Sequence, residues 1–385
     1  MRREIVFEAK VHGVIAGAAV GDALGGTTEG FSPEQIQERY GGFVEGIEGP
    51  FHPDYENARP ISPFHKGDGH ITDDTLMTES LISIYDKVRD HLDAFAFAKH
   101  IIPELIEKMR FIPELHKETL LIHRVFFAEK WLVQRLHFGH VDPREAGVGN
   151  MVNCGAAMYL APVGAVNAGN AWEAYKEAIE IAGAHQSSFG REAAGVFAGC
   201  VAHAFTPGVT ADDIIEKAIE LANDGTKKAI EAVYEKAKTL SDWKIAISPL
   251  RDAFRPYDTL EDEYRQHGDD ARKPSRLLSI EELPIALGML VVSKGAYREG
   301  VLGSVNYGRD SDSIATMTGA ISGAMNGVSG IPQEWLTTVE TASRRNFKES
   351  AALMSSIARE IREKDLARVG QVKRIQDEIF EHARN

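Results

Sequence analysis

Two short acidic clusters are the residues of this sequence best suited to carry chemistry. Each combines two carboxylates with adjacent hydroxyl groups, and they are residues 72–75 (Thr-Asp-Asp-Thr) and residues 310–313 (Asp-Ser-Asp-Ser). Neither cluster contains a cysteine, and His70 is the only histidine nearby in the sequence. Carboxylate and hydroxyl oxygens are hard ligands that select Mg²⁺, Mn²⁺ or Ca²⁺ over Zn²⁺. The composition therefore predicts a site for hard divalent cations.

Each cluster can also be understood without any function, as the start of a helix. Thr72 is a favourable N-cap, and Asp73 and Asp74 would follow in the first turn, where the helix dipole stabilises carboxylates. The second cluster likewise opens a run of small residues at helical spacing, 313–327. The shared composition favours a metal site, because four aspartates that converge in space repel one another unless cations lie between them.

An EF-hand loop and a phosphatase-type nucleophile fit the acidic clusters less well than a metal site of this kind. A calcium-binding EF-hand requires spaced ligands and a final glutamate, which are absent from both clusters. A phosphatase-type nucleophile at Asp310 or Asp312 would normally follow a buried strand near the start of the chain. This pair instead lies late in the sequence, among helical segments.

The segments that must position these clusters are helical in pattern. Apolar residues recur at helical spacing in 9–24, 75–87, 92–110, 170–184, 191–204, 211–223, 226–239, 281–294, 313–327 and 333–382. Alternating runs of β-branched and polar residues are scarce, so no substantial sheet is expected. An apolar share of 43% with 26% charged residues is typical of a folded globular protein. The sequence predicts an all-α fold with a single large domain over residues 1–385.

Two stretches rich in glycine and proline interrupt the helical pattern, and we predict long loops at 41–71 and 247–279. Aromatic residues run through both loops, which indicates elaborations of one domain rather than flexible linkers. The helical pattern from residue 333 onward predicts a C-terminal helical extension, 333–385.

Glycines four residues apart occupy one face of two helical segments. They are Gly13, Gly17 and Gly21 in the first segment, and Gly319, Gly323 and Gly327 in the second. Each internal glycine costs a helix about 1 kcal/mol relative to alanine. A face without side chains lets another helix approach closely, so we predict close helix packing at these positions.

Charge, hydropathy and cysteine usage restrict the classes of partner. The net charge of −14 argues against nucleic-acid binding, because phosphate neutralisation needs a concentrated basic field. No apolar run reaches the roughly 18–20 residues that span a bilayer, so we expect no membrane partner. Glu8 and Asp22 bracket the apolar N-terminal stretch, which argues against a signal peptide. Cys154 and Cys200 are predicted to be free buried thiols in a cytoplasmic protein.

Three segments, taken in order, resemble the motifs of the ADP-ribosylglycohydrolase family, which includes dinitrogenase-reductase-activating glycohydrolase. They are residues 17–25 (Gly-Ala-Ala-Val-Gly-Asp-Ala-Leu-Gly) followed by Glu29, residues 72–75, and residues 308–313 running into 320–324. The resemblance implies an all-α fold with a binuclear magnesium centre at the bottom of a cleft, with Mn²⁺ as an alternative metal.

The resemblance also implies a set of metal ligands. One ion would be held by Thr72, Asp73, Asp74 and Asp312, and the other by Asp310, the shared Asp312, Ser313 and Glu29. Family members commonly carry threonine where Ser313 stands, and the hydroxyl ligand is retained here. Asp22, in the first motif, is expected to cap a helix or support the ligands rather than bind metal.

A middle segment resembles the family's glycine-rich Gly-Asn-Gly-x-x-Met-Arg stretch, which lies against the substrate. The match implies substrate contacts by Asn153, Gly155 and Met158, together with His185 in the region where the family has Thr-His. Cys154 replaces a small residue of the motif, and Tyr159 stands where arginine is common. These departures bear on which substrate is bound, above all on whether a diphosphate is gripped.

The activity implied by the resemblance is hydrolysis of the N- (or O-) glycosidic bond of an ADP-ribosylated protein side chain or small molecule. Glu29 is the implied gate or general base, and Asp73, Asp74 or Asp310 would help to orient the nucleophile. Such a reaction passes through an oxocarbenium-like transition state that carboxylates stabilise. Two alternatives stay open on the same metal core: a hydrolase of a nucleoside or other small ribosyl compound, and a non-catalytic ADP-ribose-binding sensor.

Overall fold

The structure, a computed structural model, describes residues 6–258 and 280–381. Segments with helical periodicity in the sequence form helices in this structure. Within these residues there are sixteen α-helices: α1 Phe7–Gly25, α2 Pro33–Tyr40, α3 Asp73–Val88, α4 Ala94–Ile106, α5 Phe127–Leu132, α6 Ala161–Val166, α7 Ala171–Gly183, α8 Ser188–Ala204, α9 Ala211–Leu221, α10 Asp224–Ala237, α11 Trp243–Phe254, α12 Glu282–Val292, α13 Tyr297–Tyr307, α14 Ser311–Asn326, α15 Gln333–Ser343 and α16 Phe347–Glu381. The predicted all-α fold is confirmed.

One small hairpin is the only sheet within the described residues. Strand β1 (Met109–Ile112) pairs antiparallel with β2 (Lys117–Leu120), and Met109 lies opposite Leu120. The predicted helical segment 92–110 therefore ends early, because α4 stops at Ile106 and the chain turns into this hairpin.

Helices α1 and α14 form the centre of the fold, and their backbones approach at the glycines that the sequence placed on one face. A β-carbon on Gly17 would lie 2.4 Å from the carbonyl oxygen of Gly319, and one on Gly319 would lie 2.2 Å from that of Gly17. Both distances are far inside van der Waals contact, so only glycine fits. The predicted close helix packing is confirmed.

The hydrophobic core surrounds this helix pair and explains why several helices lack an exposed face. Every residue of α12 from Glu282 to Val292 is buried, as is nearly all of α14. A helix that is apolar on all sides belongs in the interior of a large domain. None of the helices in the described residues is both long and apolar enough to cross a membrane.

The two predicted loops differ in outcome. Residues 41–71 contain no α-helix and a single 3₁₀ turn, Tyr55–Asn57. The loop predicted at 247–279 is wrong at its start, because α11 continues through Pro249 to Phe254. An internal proline costs a helix about 3 kcal/mol, and burial of Leu250 and Phe254 offsets that cost. Residues 259–279 lie outside the described residues.

The predicted C-terminal extension 333–385 consists of two helices in its described part. Helix α15 ends where Arg344 adopts a left-handed conformation, with φ of 53°, and α16 begins three residues later at Phe347. Helix α16 packs on α1, α3 and α6 along its first half. The extension is therefore joined to the core rather than separate from it.

We predict that Gly319→Ala lowers the free energy of unfolding by at least about 2 kcal/mol, because the new methyl group forces α1 and α14 apart. Chemical denaturation measures the change. Gly370→Ala, on an exposed part of α16 where nothing lies within 4 Å of a β-carbon, is the matched control and should stabilise by up to about 1 kcal/mol. Equal effects at the two positions would contradict the close-packing account.

Candidate metal centre and active site

The first acidic cluster lies at the start of α3, where α1 holds it. Thr72 is the N-cap of α3, and Asp73 and Asp74 occupy the first turn. The backbone N–H of Thr72 donates to both carboxylate oxygens of Asp22, at 3.2 and 3.0 Å, and the hydroxyl of Thr75 donates to the same carboxylate. Asp22, which lies on α1, therefore caps the N-terminus of α3. Burial raises the pKa of Asp22 to about 6, although hydrogen bonds from Thr72 and Thr75 oppose that shift.

The second acidic cluster lies at the start of α14, against the end of α1. A β-carbon on Gly25 would lie 2.5 Å from the Cα of Asp312, so the two segments are in backbone contact. The hydroxyl of Ser311 donates to the carbonyl oxygen of Gly25 at 2.9 Å, and Thr28 donates to that hydroxyl at 2.9 Å. These contacts fix the N-terminus of α14, with Asp310 as its N-cap residue.

The structure brings the two clusters together. The hydroxyl of Thr72 lies 3.5 Å from Oδ2 of Asp312. Burial, with the neighbouring carboxylates of Asp22, Asp73 and Asp310, raises the pKa of Asp74 well above its usual range. Burial and adjacent carboxylates do the same to Asp312. Several acidic side chains thus share one buried volume, the arrangement that the sequence composition predicted.

Glu29 reaches this volume from the loop after α1. The backbone N–H of Arg309 donates to the carbonyl oxygen of Phe31 at 2.9 Å, and Gly30 donates back to Arg309, which ties the loop to the segment before α14. Carboxylate and ring-nitrogen atoms of Glu29, His65 and Asp312 all lie within 4.8 Å of one another. Glu29 is therefore placed beside the second cluster, as the resemblance implied.

A chain of buried ions, which the sequence did not predict, connects Glu29 to the first cluster. The two ring nitrogens of His65 contact Oε2 of Glu29 and, at 3.0 Å, Oε1 of Glu114. Arg124 donates from Nε to Glu114 at 2.7 Å and from Nη1 to Asp73 at 2.9 Å. His65 lies in the 41–71 loop, whereas Glu114 lies in the turn of the hairpin and Arg124 lies four residues after the hairpin ends.

These contacts determine which of the side chains in this chain carry a charge. Burial disfavours a charged His65, but Glu114 and Glu29 outweigh it and raise the pKa of His65 to about 9. Burial would raise the pKa of Glu114, yet Arg124 and His65 lower it to about 2. Burial and nearby acids raise the pKa of Asp73, although Arg124 opposes the shift. At neutral pH, His65 and Arg124 are cations beside Glu114.

The middle segment lies between the second cluster and a buried glutamate. Asn153 Oδ1 accepts from Gln186 at 2.8 Å and from the backbone N–H of Gly155 at 3.0 Å. A β-carbon on Gly155 would lie 2.8 Å from Oε1 of Glu129, so a larger residue there would displace the Glu129 side chain. Burial and the charge of Asp73 raise the pKa of Glu129 to about 8. Glu129 was not predicted from the sequence, and neither was the short helix α5 on which it lies.

His185 and Tyr159 lie beneath this segment, out of contact with solvent. The ring of His185 contacts the Tyr159 hydroxyl at 3.1 Å through Nδ1 and the carbonyl oxygen of Ala128 at 3.0 Å through Nε2. Burial lowers the pKa of His185 to about 4, so the ring is neutral at pH 7. Met158 is also buried. Both ring nitrogens of His185 are thus occupied by protein groups.

The thiol of Cys154 lies beside the second acidic cluster, although neither cluster contains a cysteine in the sequence. Its Sγ lies 3.1 Å from Oδ2 of Asp310 and 3.3 Å from the hydroxyl of Ser313. Cys154 and Cys200 are both free and buried, as predicted. His70, the histidine nearest in sequence to the first cluster, instead contacts the carbonyl oxygen of Gly67 at 2.8 Å. His70 is therefore not the histidine that contacts the acidic side chains of the site.

The donor set fits a hard divalent cation. Oδ2 of Asp74 is buried and has no hydrogen-bond partner among the described residues. A buried carboxylate oxygen without a donor is costly unless a cation binds it. Aspartate, glutamate, serine and threonine oxygens are the ligands that such ions prefer. Carboxylate oxygens of Glu29 and Asp312 also lie within 4.8 Å of each other, close enough to share an ion.

We predict that His65 stays protonated at pH 7.5 in the metal-free protein, whereas the equally buried His185 is neutral. NMR of the ring carbons and nitrogens distinguishes the two forms. Because the pKa of His65 rises on folding, its contribution to stability is complete below about pH 6.5 and is lost as pH rises through about 9.

The matched variants are His65→Gln and His185→Gln. In the wild-type protein, the free energy of unfolding should fall between pH 6.5 and 9 as His65 loses its proton. This fall should be smaller in His65→Gln and unchanged in His185→Gln. A neutral His65 at pH 7.5, or the same reduction in both variants, would contradict the proposed chain of ions.

This chain is similar to a known family and to known proteins over most of its length. The family model of ADP-ribosylglycohydrolases matches residues 3–367. The chain is 26% identical over 342 residues to ADP-ribosylarginine hydrolase Tri1 of Pseudomonas putida (strain GB-1), covering 86% of this chain and 74% of that protein. It is 27% identical over 355 residues to an uncharacterized protein of Archaeoglobus fulgidus, covering 90% of this chain and 95% of that protein.

A solved structure shares the fold. It is described as an ADP-ribosylglycohydrolase-related protein complex, and it superposes with a TM-score of 0.55 at 18% identity, covering 92% of this chain and 99% of its own. The match to the family model, whose members depend on metal, extends over nearly the whole chain and includes both acidic clusters and Glu29. The chain therefore belongs to the ADP-ribosylglycohydrolase family and is a hydrolase of glycosidic bonds.

Proposed function

We propose that this protein is a magnesium-dependent hydrolase that cleaves the N- (or O-) glycosidic bond of an ADP-ribosylated protein side chain or small molecule. The observation that carries the proposal is the convergence of two acidic clusters around the buried, unpartnered oxygen of Asp74. The similarity to a relative named ADP-ribosylarginine hydrolase supports ADP-ribosyl-arginine as the first substrate to test. Magnesium is proposed because the donors are oxygen atoms.

The metal ligands are proposed to be Thr72, Asp73, Asp74, Asp310, Asp312, Ser313 and Glu29. Two divalent ions held there would act as Lewis acids and bind the ribose hydroxyls. Mn²⁺ is compatible with the same ligands. Arg124 keeps one oxygen of Asp73 engaged at 2.9 Å, which fixes the orientation of this carboxylate.

Glu29 is proposed to accept the proton of the attacking water. Protonated His65 holds Oε2 of Glu29, and Ser62 donates to the backbone carbonyl oxygen of Glu29. The loop connections to Arg309 fix the backbone on the other side. These contacts orient the carboxylate toward the cluster that contains Asp312. Pre-organisation of this kind is what a general base requires.

The segment around Asn153 and Gly155 is proposed to contact the substrate, with Met158 packed beneath it. His185, which is fully buried, is proposed to support this substrate-contacting segment through its contacts with Tyr159 and Ala128. Glycine at 155 lets this segment pack directly against the side chains of Glu129 and Asn153.

A second candidate is the hydrolysis of a nucleoside or another small ribosyl compound. It is favoured by Tyr159, which stands where the family commonly has arginine and whose hydroxyl is directed at His185 inside the core. A neutral buried phenol contributes no positive charge for a diphosphate. On this alternative the metal core and Glu29 keep their roles, and only the leaving group differs.

We predict that Asp312→Asn abolishes Mg²⁺ binding and lowers kcat/KM by more than about 100-fold, because the variant removes a charge that both ions share. Calorimetric titration with MgCl₂ measures binding, and chromatography measures product release. Asp142→Asn is the matched control, since Asp142 is exposed and pairs with Arg144 at the surface. Unchanged turnover in Asp312→Asn would refute the shared-ligand assignment.

The substrate is tested by incubating the wild-type protein and MgCl₂ with ADP-ribosyl-arginine, ADP-ribosyl-serine, O-acetyl-ADP-ribose and purine nucleosides. We expect release of ADP-ribose from at least one of the first three compounds. Turnover of nucleosides alone would replace the first proposal by the second. Tight ADP-ribose binding without turnover of any compound would contradict both and indicate a sensor.

A further inference from the structure

We propose that Cys154, Glu282 and Asp310 form a site for a thiophilic divalent cation of the Zn²⁺ class, and that this cation inhibits the enzyme because Asp310 is also a proposed magnesium ligand. The three residues are called the thiol site. Sγ of Cys154 and one carboxylate oxygen from each acid all lie within 4.8 Å of one another. The inhibition rests on the proposed function, whereas the thiol site itself does not.

Three separate elements bring the thiol site together. Cys154 lies in the middle segment, Glu282 is the first residue of α12, and Asp310 is the N-cap residue of α14. The residues that precede the two acids in the chain are joined to each other, since Nε of Arg309 donates to Oε2 of Glu281 at 2.6 Å. This buried ion pair holds the starts of α12 and α14 side by side, so both carboxylates are held near the thiol.

The thiol of Cys154 is directed at this acidic group. Its Sγ lies 3.1 Å from Oδ2 of Asp310 and 3.3 Å from the hydroxyl of Ser313. The thiol hydrogen therefore lies where a cation would join sulfur to oxygen. Binding of Zn²⁺ breaks the S–H bond, forms a Zn–S bond and releases the proton to water. Asp310 is only partly buried, so the ion can enter from solvent.

Sulfur changes the preference of the site for metals. Magnesium takes oxygen ligands, whereas zinc takes cysteine sulfur together with carboxylate oxygen. Tetrahedral zinc, with bonds of about 2.3 Å to sulfur and about 2.1 Å to oxygen, separates its ligand atoms by about 3.6 Å. The observed separations are 3.1 Å between Cys154 and Asp310 and at most 4.8 Å for the other two pairs. Side-chain shifts of about 1 Å close the thiol site around zinc.

Asp74 gives a second, independent indication of a cation at this point. Its side chain is buried, and its carboxylate accepts a hydrogen bond from the hydroxyl of Ser313, which is the hydroxyl that Sγ of Cys154 contacts. Oδ2 of Asp74 has no hydrogen-bond partner among the described residues. A buried carboxylate oxygen without a donor is costly unless a cation lies beside it. This oxygen is available as the fourth ligand of a tetrahedral ion.

The first experiment titrates the reduced, metal-free, full-length protein with CoCl₂ and records the near-ultraviolet charge-transfer band of a cobalt–thiolate bond, which oxygen ligands do not produce. The wild-type protein should develop this band with one thiolate-bound Co²⁺ per chain, and excess ZnCl₂ should remove it because zinc takes the same ligands. Cys154→Ala should not develop the band.

Cys200→Ala is the matched control and should develop the band as the wild-type protein does. Cys200 is also a free buried thiol, but its Sγ lies 4.0 Å from the carbonyl oxygen of Ile214, away from the acidic clusters. Absence of the band in the wild-type protein, or its persistence in Cys154→Ala, would overturn the thiol site.

The second experiment tests the carboxylate from α12. Glu282→Gln should keep the charge-transfer band, because sulfur is still present, but should weaken Co²⁺ binding by at least about 10-fold. Glu299→Gln, at an exposed position of α13, is the control and should bind Co²⁺ as the wild-type protein does. Circular dichroism verifies that each variant is folded. Unchanged Co²⁺ affinity in folded Glu282→Gln would remove Glu282 from the site.

The third experiment tests the inhibition, in turnover assays with saturating MgCl₂. Zn²⁺ should inhibit the wild-type protein and Cys200→Ala alike, whereas Cys154→Ala should need at least about 10-fold more Zn²⁺ for the same fractional inhibition. Equal inhibition of all three proteins would overturn the competition at Asp310. Absence of turnover without Zn²⁺ would instead contradict the proposed function, and the cobalt titration, which needs no substrate, decides the thiol site in either case.

Discussion

The backbones of α1 and α14 approach so closely that a carbonyl oxygen of one helix occupies the place of a β-carbon on the other. At Gly17 and Gly319 this excludes every side chain. The same contact continues to Gly25 and Asp312, so it sets the position of the second acidic cluster relative to the end of α1. Asp22 then joins α1 to α3 and places the first cluster. The positions of the proposed metal ligands depend on this packing.

The close approach concentrates acidic groups where water cannot solvate them, and the fold neutralises only part of that charge. His65 and Arg124 balance Glu114 and hold Glu29 and Asp73. No equivalent cation lies beside Asp74 in the part of the chain that the structure describes, and burial with adjacent carboxylates raises its pKa. Buried charge without a partner is strongly destabilising. A divalent cation bound there would supply the missing charge, and it would link the stability of the site to the proposed function.

The sequence predicted those elements whose characteristic pattern lies within one continuous segment of the chain. Helical periodicity and the helix-start pattern at Thr72 are confirmed in the structure, and the metal roles of both clusters remain predictions. The chain of ions was missed because His65, Glu114 and Arg124 come from a loop and a hairpin, and no spacing relates them. Helix α11 was missed because Pro249 suggested a break, while the burial that overrides a proline depends on tertiary contacts.

The most direct test of the account is electron paramagnetic resonance of the metal-free protein titrated with Mn²⁺, which reports both the number of bound ions and whether they are neighbours. Two clusters that share Asp312 predict two Mn²⁺ ions per chain with the spectrum of an exchange-coupled pair. A single uncoupled ion, or no bound ion at all, would contradict the claim that the buried carboxylates form a binuclear centre.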